Sequence, residues 1–144
     1  MDDEARVRAL GTEVMRLTRR RATTYPGSVL DESAFRILMV LVEEGPRSLR
    51  ELALELQVEQ STISRQVTAA LGHGLVERYG ASPRRVRPTE QGRDAYRHDG
   101  RLRGAVWSCA LEALGTERGE ALVASLRDLN DALDRAHAAV RTSR

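Results

Sequence analysis

The chain has 144 residues, of which 41% are hydrophobic and only 3% aromatic, and its 23 basic and 21 acidic residues give a formal net charge of +2. This length allows a single domain with a real core, and a core built on Ala and Leu favours helices over sheets. The lone Cys109 excludes an intramolecular disulfide or a cysteine-cluster metal site, and no apolar stretch is long enough to cross a membrane. The acidic start "MDDEAR" is not a signal peptide, so we expect a cytoplasmic protein.

Apolar periodicity predicts two helices in the first third of the chain. The first covers 3–22 and carries a single apolar stripe formed by Val7, Leu10, Val14 and Leu17. The second lies between the breaks at Pro26-Gly27 and Gly45-Pro46. Its residues 35–42 are apolar nearly all round, which predicts that this helix is the central, buried one.

Two short helices follow with barely a gap between them. Ser48 and Glu51 match a capping box at the start of the third helix, and a fourth helix turns Ile63 and Val67 toward the core. After Gly74 the period changes, and the pattern predicts two short strands over 75–79 and 84–88. The chain order is therefore helix, tight turn, helix and hairpin.

Two long helices are predicted to complete the chain, over about 90–113 and 117–141. Thr89 is the expected N-cap of the first of them. The second carries apolar residues that step by four and three, namely Leu122, Leu126, Leu129, Leu133, Ala136 and Val140. This coiled-coil-like stripe predicts a dimer contact, because one small domain leaves such helices little else to bury against.

The positive charge is concentrated in the middle of the chain. Residues 60–103 hold nine arginines against four acidic residues, a net charge of +5, whereas the remainder carries −3. Every basic residue is arginine. A basic segment in a nearly neutral chain predicts a polyanionic partner for that segment.

The fourth helix directs a polar face away from the core. Its short donors and acceptors and its one guanidinium are Gln60, Ser61, Thr62, Ser64, Arg65 and Thr68. Such a face can bond base edges and phosphates in a DNA major groove, although a solvated surface helix is the alternative. The hairpin that follows favours DNA, because its arginines Arg84, Arg85 and Arg87 suit a minor groove or phosphates.

The order of these motifs resembles the winged helix-turn-helix core of the MarR (multiple antibiotic resistance regulator) family. "LALELQV" matches the first helix of that unit and "QSTISRQV" its recognition helix, while "GLVER" matches the first wing strand and "TEQG" the start of the next helix. The resemblance implies a mainly α fold with a small β-hairpin, as one domain over 1–144. Its winged helix-turn-helix would cover about 30–92, flanked by dimerisation helices at about 3–22 and 93–141.

The resemblance also implies a function. Family members are homodimers that bind pseudo-palindromic operators in double-stranded DNA, and many are released by a small aromatic or phenolic effector. We therefore expect a transcriptional regulator, most simply a repressor, that uses the residues named above for DNA. Tyr25, Phe35, Tyr96 and Trp107 are the candidate effector pocket, although aromatics pack cores more often than they bind ligands.

The predicted wing departs from the family's pattern. It is short and has no acidic residue between Glu77 and Glu90, where family members usually place an Asp that braces a basic tip. This departure keeps an alternative open, a winged-helix protein-interaction module without DNA binding.

Other classes of function lack support in the sequence. There is no nucleophile elbow, P-loop or other catalytic motif, so we expect neither an enzyme nor a cofactor. The three histidines are isolated from one another and from Cys109, so no metal site is expected. Cys109 has apolar neighbours and is predicted to be packed and inert.

Overall fold

The structure is a computed structural model that describes residues 1–20 and 25–142. Within these residues it contains six helices and one two-stranded sheet, in the order α1 Asp3–Arg19, α2 Glu32–Glu43, α3 Leu49–Leu56, α4 Gln60–Gly72, β1 Val76–Tyr79, β2 Arg85–Pro88, α5 Glu90–Leu114 and α6 Thr116–Thr142. The predicted mainly α fold with a small β-hairpin is confirmed. The end of the first predicted helix, 21–22, lies outside the described residues.

The chain divides into two compact units, 1–102 and 103–144. The first unit contains the helix-turn-helix and the hairpin, and the second contains the end of α5 and all of α6. Among the described residues, no helix combines the length and the apolar character needed to cross a membrane.

Side-chain caps set the starts of α2 and α3. Asp31 accepts a hydrogen bond from the Ala34 amide at 2.7 Å. The capping box predicted for α3 is present, because Ser48 Oγ accepts from the Glu51 amide at 3.2 Å and Glu51 Oε2 accepts from the Ser48 amide at 3.4 Å. Gln57 then takes a left-handed conformation, with φ of 53°, and so turns the chain sharply into α4.

The core of the first unit lies between α2, α3, α4 and the hairpin. Its fully buried apolar side chains are Ile37, Leu38, Leu41, Leu52, Ile63, Val67 and Val86. Three of these seven belong to α2, as expected for the central helix. Burial of Ile63 and Val67 fixes the rotation of α4 about its own axis, and its polar face is therefore directed outward.

The hairpin is attached to the helix-turn-helix through its second strand. β1 and β2 pair antiparallel with Arg78 opposite Val86. On its other side Val86 forms a bridge to Arg47, in which the Val86 amide donates to the Arg47 carbonyl at 2.7 Å and the Arg47 amide donates to the Val86 carbonyl at 3.2 Å. The segment just before α3 is therefore joined to the wing by a single-residue bridge.

Two long helical surfaces leave their apolar side chains exposed. α1 has no buried residue, and its predicted stripe Val7, Leu10, Val14 and Leu17 is exposed. The second unit exposes Val106, Trp107, Leu111, Leu122, Val123, Leu126, Leu133 and Val140. Cys109 is exposed as well, so the prediction that it is packed within the chain is wrong. Its apolar sequence neighbours also lie at the surface and cannot cover it.

Candidate nucleic-acid interface

The recognition helix α4 places all six predicted contact residues outside the core. Gln60, Ser61, Arg65 and Thr68 are exposed, and Thr62 and Ser64 are partly so. Glu59, the residue before the helix, makes no capping hydrogen bond with its side chain. The first amides of α4 therefore have no side-chain cap and can donate to an anion.

Two residues on this face differ in what they can still donate. The Thr68 hydroxyl donates to the Ser64 carbonyl at 2.8 Å, so its proton is used within the helix and its oxygen remains an acceptor. Arg65 is exposed, and within residues 1–20 and 25–142 its guanidinium has no hydrogen-bond or ion-pair partner. A free guanidinium in the second turn can bond the O6 and N7 atoms of guanine with two parallel hydrogen bonds.

The arginines of the wing are not equivalent. Arg85 lies 3.8 Å from a Glu51 carboxylate oxygen and donates to the Pro46 carbonyl at 3.4 Å. Arg87 donates to Glu77 at 2.8 Å, and its guanidinium carbon lies 4.6 Å from the centre of the Tyr79 ring. Contact of Arg85 and Arg87 with DNA stays a prediction, and it requires each to share or leave an acidic partner.

Comparison with known proteins finds a family model that matches part of the chain. Residues 30–87 match the family model described as "MarR family". This range begins just before α2 and ends in β2. Over residues 30–87 the chain is therefore similar to the MarR family. The search of curated proteins returned no match.

Solved structures share the fold of this chain over nearly its whole length. A MarR family protein from Bacillus stearothermophilus is 24% identical, with a TM-score of 0.71 over 91% of this chain and 92% of its own. A MarR transcriptional regulator from Methanosarcina mazei Go1 is 16% identical, with a TM-score of 0.76 over 94% of both chains. BpsR from Bordetella bronchiseptica, whose DNA binding is regulated by 6-hydroxynicotinic acid, is 21% identical, with a TM-score of 0.66 over 84% of this chain and 93% of its own.

The wing of this chain is braced by acids that lie outside the hairpin turn. The sequence has no acid near the hairpin turn, but Glu77 lies directly opposite Arg87 in the strand register and forms the ion pair from there. Glu51 of α3 forms the corresponding ion pair with Arg85. The strand register, once assigned, would have revealed the Glu77–Arg87 pair.

Asp99 is a buried acid that no pattern in the sequence pointed out. The residue is only 1% exposed, and its carboxylate accepts hydrogen bonds from Ser28 Oγ at 2.7 Å and from the amides of Val29 and Leu30, both at 2.9 Å. Burial acts to raise the pKa of Asp99, but the three hydrogen bonds outweigh it and hold the pKa below its usual value. Asp99 thereby fixes the segment before α2 against α5.

The four aromatic candidates for an effector site come from the segment before α2, from α2 and from α5. Phe35 and Tyr96 are in contact, with ring centroids 5.3 Å apart, and the Tyr96 hydroxyl donates to Glu43 at 2.8 Å. Burial, and then this hydrogen bond, raise the pKa of Tyr96 to about 12. Tyr25 lies in the segment before α2, and Trp107 is 57% exposed in the second unit. The structure therefore shows a ring contact between two of the four candidates, Phe35 and Tyr96.

Metal binding has no geometric support in the part of the chain that the structure describes. There, no group of three or more His, Cys, Asp or Glu side chains is arranged to hold an ion.

Proposed function

We propose that this chain is a MarR-family regulator, a homodimer that binds a pseudo-palindromic operator in double-stranded DNA and represses transcription. The observation that carries the proposal is the outward polar face of α4, with the unpaired Arg65 in its second turn and a basic hairpin beside it. In a dimer, two such helices would enter successive major grooves about 34 Å apart. A dimer bound there obstructs polymerase, so repression requires nothing of the chain beyond binding.

The competing function is a protein-interaction module that does not bind DNA. The ion pairs of Arg85 and Arg87 favour it, because they occupy two wing arginines that DNA would need. DNA binding by arginines releases counterions from the phosphates, so affinity should fall steeply as salt rises. A chain that retards none of a pool of genomic fragments at low salt is an interaction module.

Arg65→Ala tests the reading of bases. On DNA selected by the wild-type protein, the substitution is expected to cost about 1–3 kcal/mol, and far less on random DNA, because a bidentate contact with guanine is lost. Arg65→Lys is the matched control, since it keeps the charge but lacks the planar fork. Competition binding measures the affinity of each variant for the selected and the random DNA. Equal weakening of selected and random DNA by Arg65→Ala would assign Arg65 to the backbone instead.

The dimer is supported by the exposed apolar stripes of α1 and α6. Leu126 and Leu133 are 46% and 45% exposed in the single chain and lie seven residues apart on one face of α6. Leu126→Arg with Leu133→Arg should therefore preserve the fold of each chain but place unpaired charges in the dimer contact, giving a monomer. Light scattering gives the mass.

The control for the dimer variant is another pair on α6. Ala121→Arg with Asp128→Arg has the same seven-residue spacing but falls on the opposite face of the helix, so its mass should stay that of a dimer. A wild-type monomer at micromolar concentration contradicts the proposed dimer directly.

We further propose a small aromatic acid as the effector. Regulation of BpsR by 6-hydroxynicotinic acid supports this class of ligand, and Phe35 of α2 forms an aromatic pair with Tyr96 of α5. The contribution of Tyr25 and Trp107 to an effector site stays a prediction. A compound that binds only the native state raises Tm, so a panel of aromatic acids should include one that raises Tm and releases DNA. If no compound of the panel does both, the proposal of an aromatic effector is contradicted and the proposed DNA binding is unaffected.

A further inference from the structure

A recess of about 540 Å³ lies where α3, α4 and the hairpin meet. We call it the wing recess. Three arginines from two different parts of the chain line it, Arg50 from the first turn of α3 and Arg78 and Arg84 from the hairpin. Gln60, the first residue of the recognition helix, lines it as well.

The three arginines of the wing recess carry charges that nothing in the described chain neutralises. Within residues 1–20 and 25–142, none of their guanidinium groups has a hydrogen-bond or ion-pair partner. All three side chains belong to exposed residues. The cost of gathering three like charges around one recess falls when an anion enters it.

The neighbouring arginines behave differently, and this contrast defines the site. Arg47 bonds Glu55 at 2.8 Å and lies 3.4 Å from Glu44. Arg85 and Arg87 have Glu51 and Glu77 as partners. The nearby carboxylates therefore form ion pairs with the arginines that surround the recess. The three arginines that line the recess are left without an ion-pair partner among the described residues.

One carboxylate also lines the wing recess and must be counted against an anion. It belongs to Glu51, which accepts from the Ser48 amide at 3.4 Å and lies 3.8 Å from Arg85. Its charge is shared with these donors, so the three arginines leave the recess with an excess of positive charge.

We propose that the wing recess is a phosphate-binding site, and that its occupant is a phosphodiester of the DNA backbone beside the bases that α4 contacts. The inference rests on the proposed function. Guanidinium groups match the oxygens of a phosphate bidentately, and three of them from two elements fix its position in space. With Gln60 in the same recess, a phosphate held there sets the register of the recognition helix along the DNA.

The first experiment removes the charges one at a time. Arg50→Gln, Arg78→Gln and Arg84→Gln should each weaken binding about tenfold, equally on selected and random DNA. The triple variant should flatten the slope of log affinity against log salt by about one, because the recess neutralises a single phosphate. The matched control is Arg101→Gln, because Arg101 is exposed on α5 and likewise has no partner among the described residues. It should change affinity little.

The second experiment locates the phosphate. Neutral methylphosphonates replace single phosphates along the selected DNA, and one position should weaken the wild-type protein about tenfold. Combined with the triple Arg→Gln variant, the same substitution should have no further effect, since the contact is already absent. Independent losses from the two changes would overturn the assignment of this phosphate to the wing recess.

The third experiment separates DNA from a free phosphate group as the source of the anion. In NMR spectra of the full chain, inorganic phosphate should shift the Nε–H signals of Arg50, Arg78 and Arg84 and leave that of Arg101 unchanged. If DNA binds but the recess variants weaken it no more than Arg101→Gln, the inference is overturned and the proposed function stands. If phosphate shifts the three signals but no DNA binds, the DNA occupant and the proposed function are both overturned. The absence of both responses overturns the site itself.

Discussion

Gly92→Ala is expected to lower the free energy of unfolding by about 3 kcal/mol or more, as overpacking of a buried backbone contact can do. A Cβ atom at Gly92 would lie 1.9 Å from the carbonyl oxygen of Leu75 and 2.9 Å from its carbonyl carbon. That carbonyl also accepts from the Thr89 amide at 3.0 Å, and the Leu75 amide donates to Ala70 at 3.0 Å. The obstacle is therefore hydrogen-bonded backbone, which cannot move aside cheaply.

Gly100→Ala is the matched control for this substitution, because Gly100 lies in the same helix and a Cβ atom there would have nothing within 4 Å. Alanine at this position should stabilise the protein by about 0.5–1 kcal/mol, since glycine is a poor residue for a helix interior. Urea unfolding of the two variants gives the comparison. Similar behaviour of both would show that close packing of α5 on Leu75 does not limit stability.

Asp99→Ala is expected to destabilise the protein by about 3 kcal/mol at pH 7, because it leaves one buried and two partly buried donors without their acceptor. A buried donor left in this way costs about 1–3 kcal/mol. The donors are Ser28 Oγ and the amides of Val29 and Leu30. Asp99→Asn keeps one acceptor oxygen and should cost less. Asp94→Asn is the control, because Asp94 is exposed and, among the described residues, pairs only with Arg97 across one turn.

The effect of Asp99 on stability should also depend on pH in one direction. Its pKa in the folded chain lies below the ordinary value, so its contribution is fully present above the unfolded pKa of about 4 and is lost as the pH falls through the folded pKa. The stability difference between the wild type and Asp99→Asn should be constant from pH 7 to about 5 and shrink in more acidic solution. A difference that grows on acidification would contradict the lowered pKa.

Local patterns in the sequence were enough to predict the helices and the hairpin. Caps and apolar spacing act over a few residues, and the Ser48–Glu51 capping box is present where the sequence predicts it. The outward face of α4 could be predicted for the same reason, because burial of Ile63 and Val67 determines which side chains are directed outward. Whether these side chains contact DNA stays a prediction.

Long-range contacts could not be predicted in this way. The partners of Asp99 lie 69 to 71 residues away in the sequence, and no local pattern distinguishes this aspartate from an exposed one. Glu77 and Arg87 become neighbours only through the strand register. The exposure of Cys109 was missed because apolar sequence neighbours pack a cysteine only when they are themselves buried.

The paired hydrogen bonds between Arg47 and Val86 have a consequence for the thermodynamics of recognition. They tie the wing to the segment that leads into α3, so the hairpin has less freedom to swing relative to the helix-turn-helix. A loop that is already ordered loses less conformational entropy when a partner immobilises it. The wing is thus preorganised, and more of the energy gained at its surface remains as affinity.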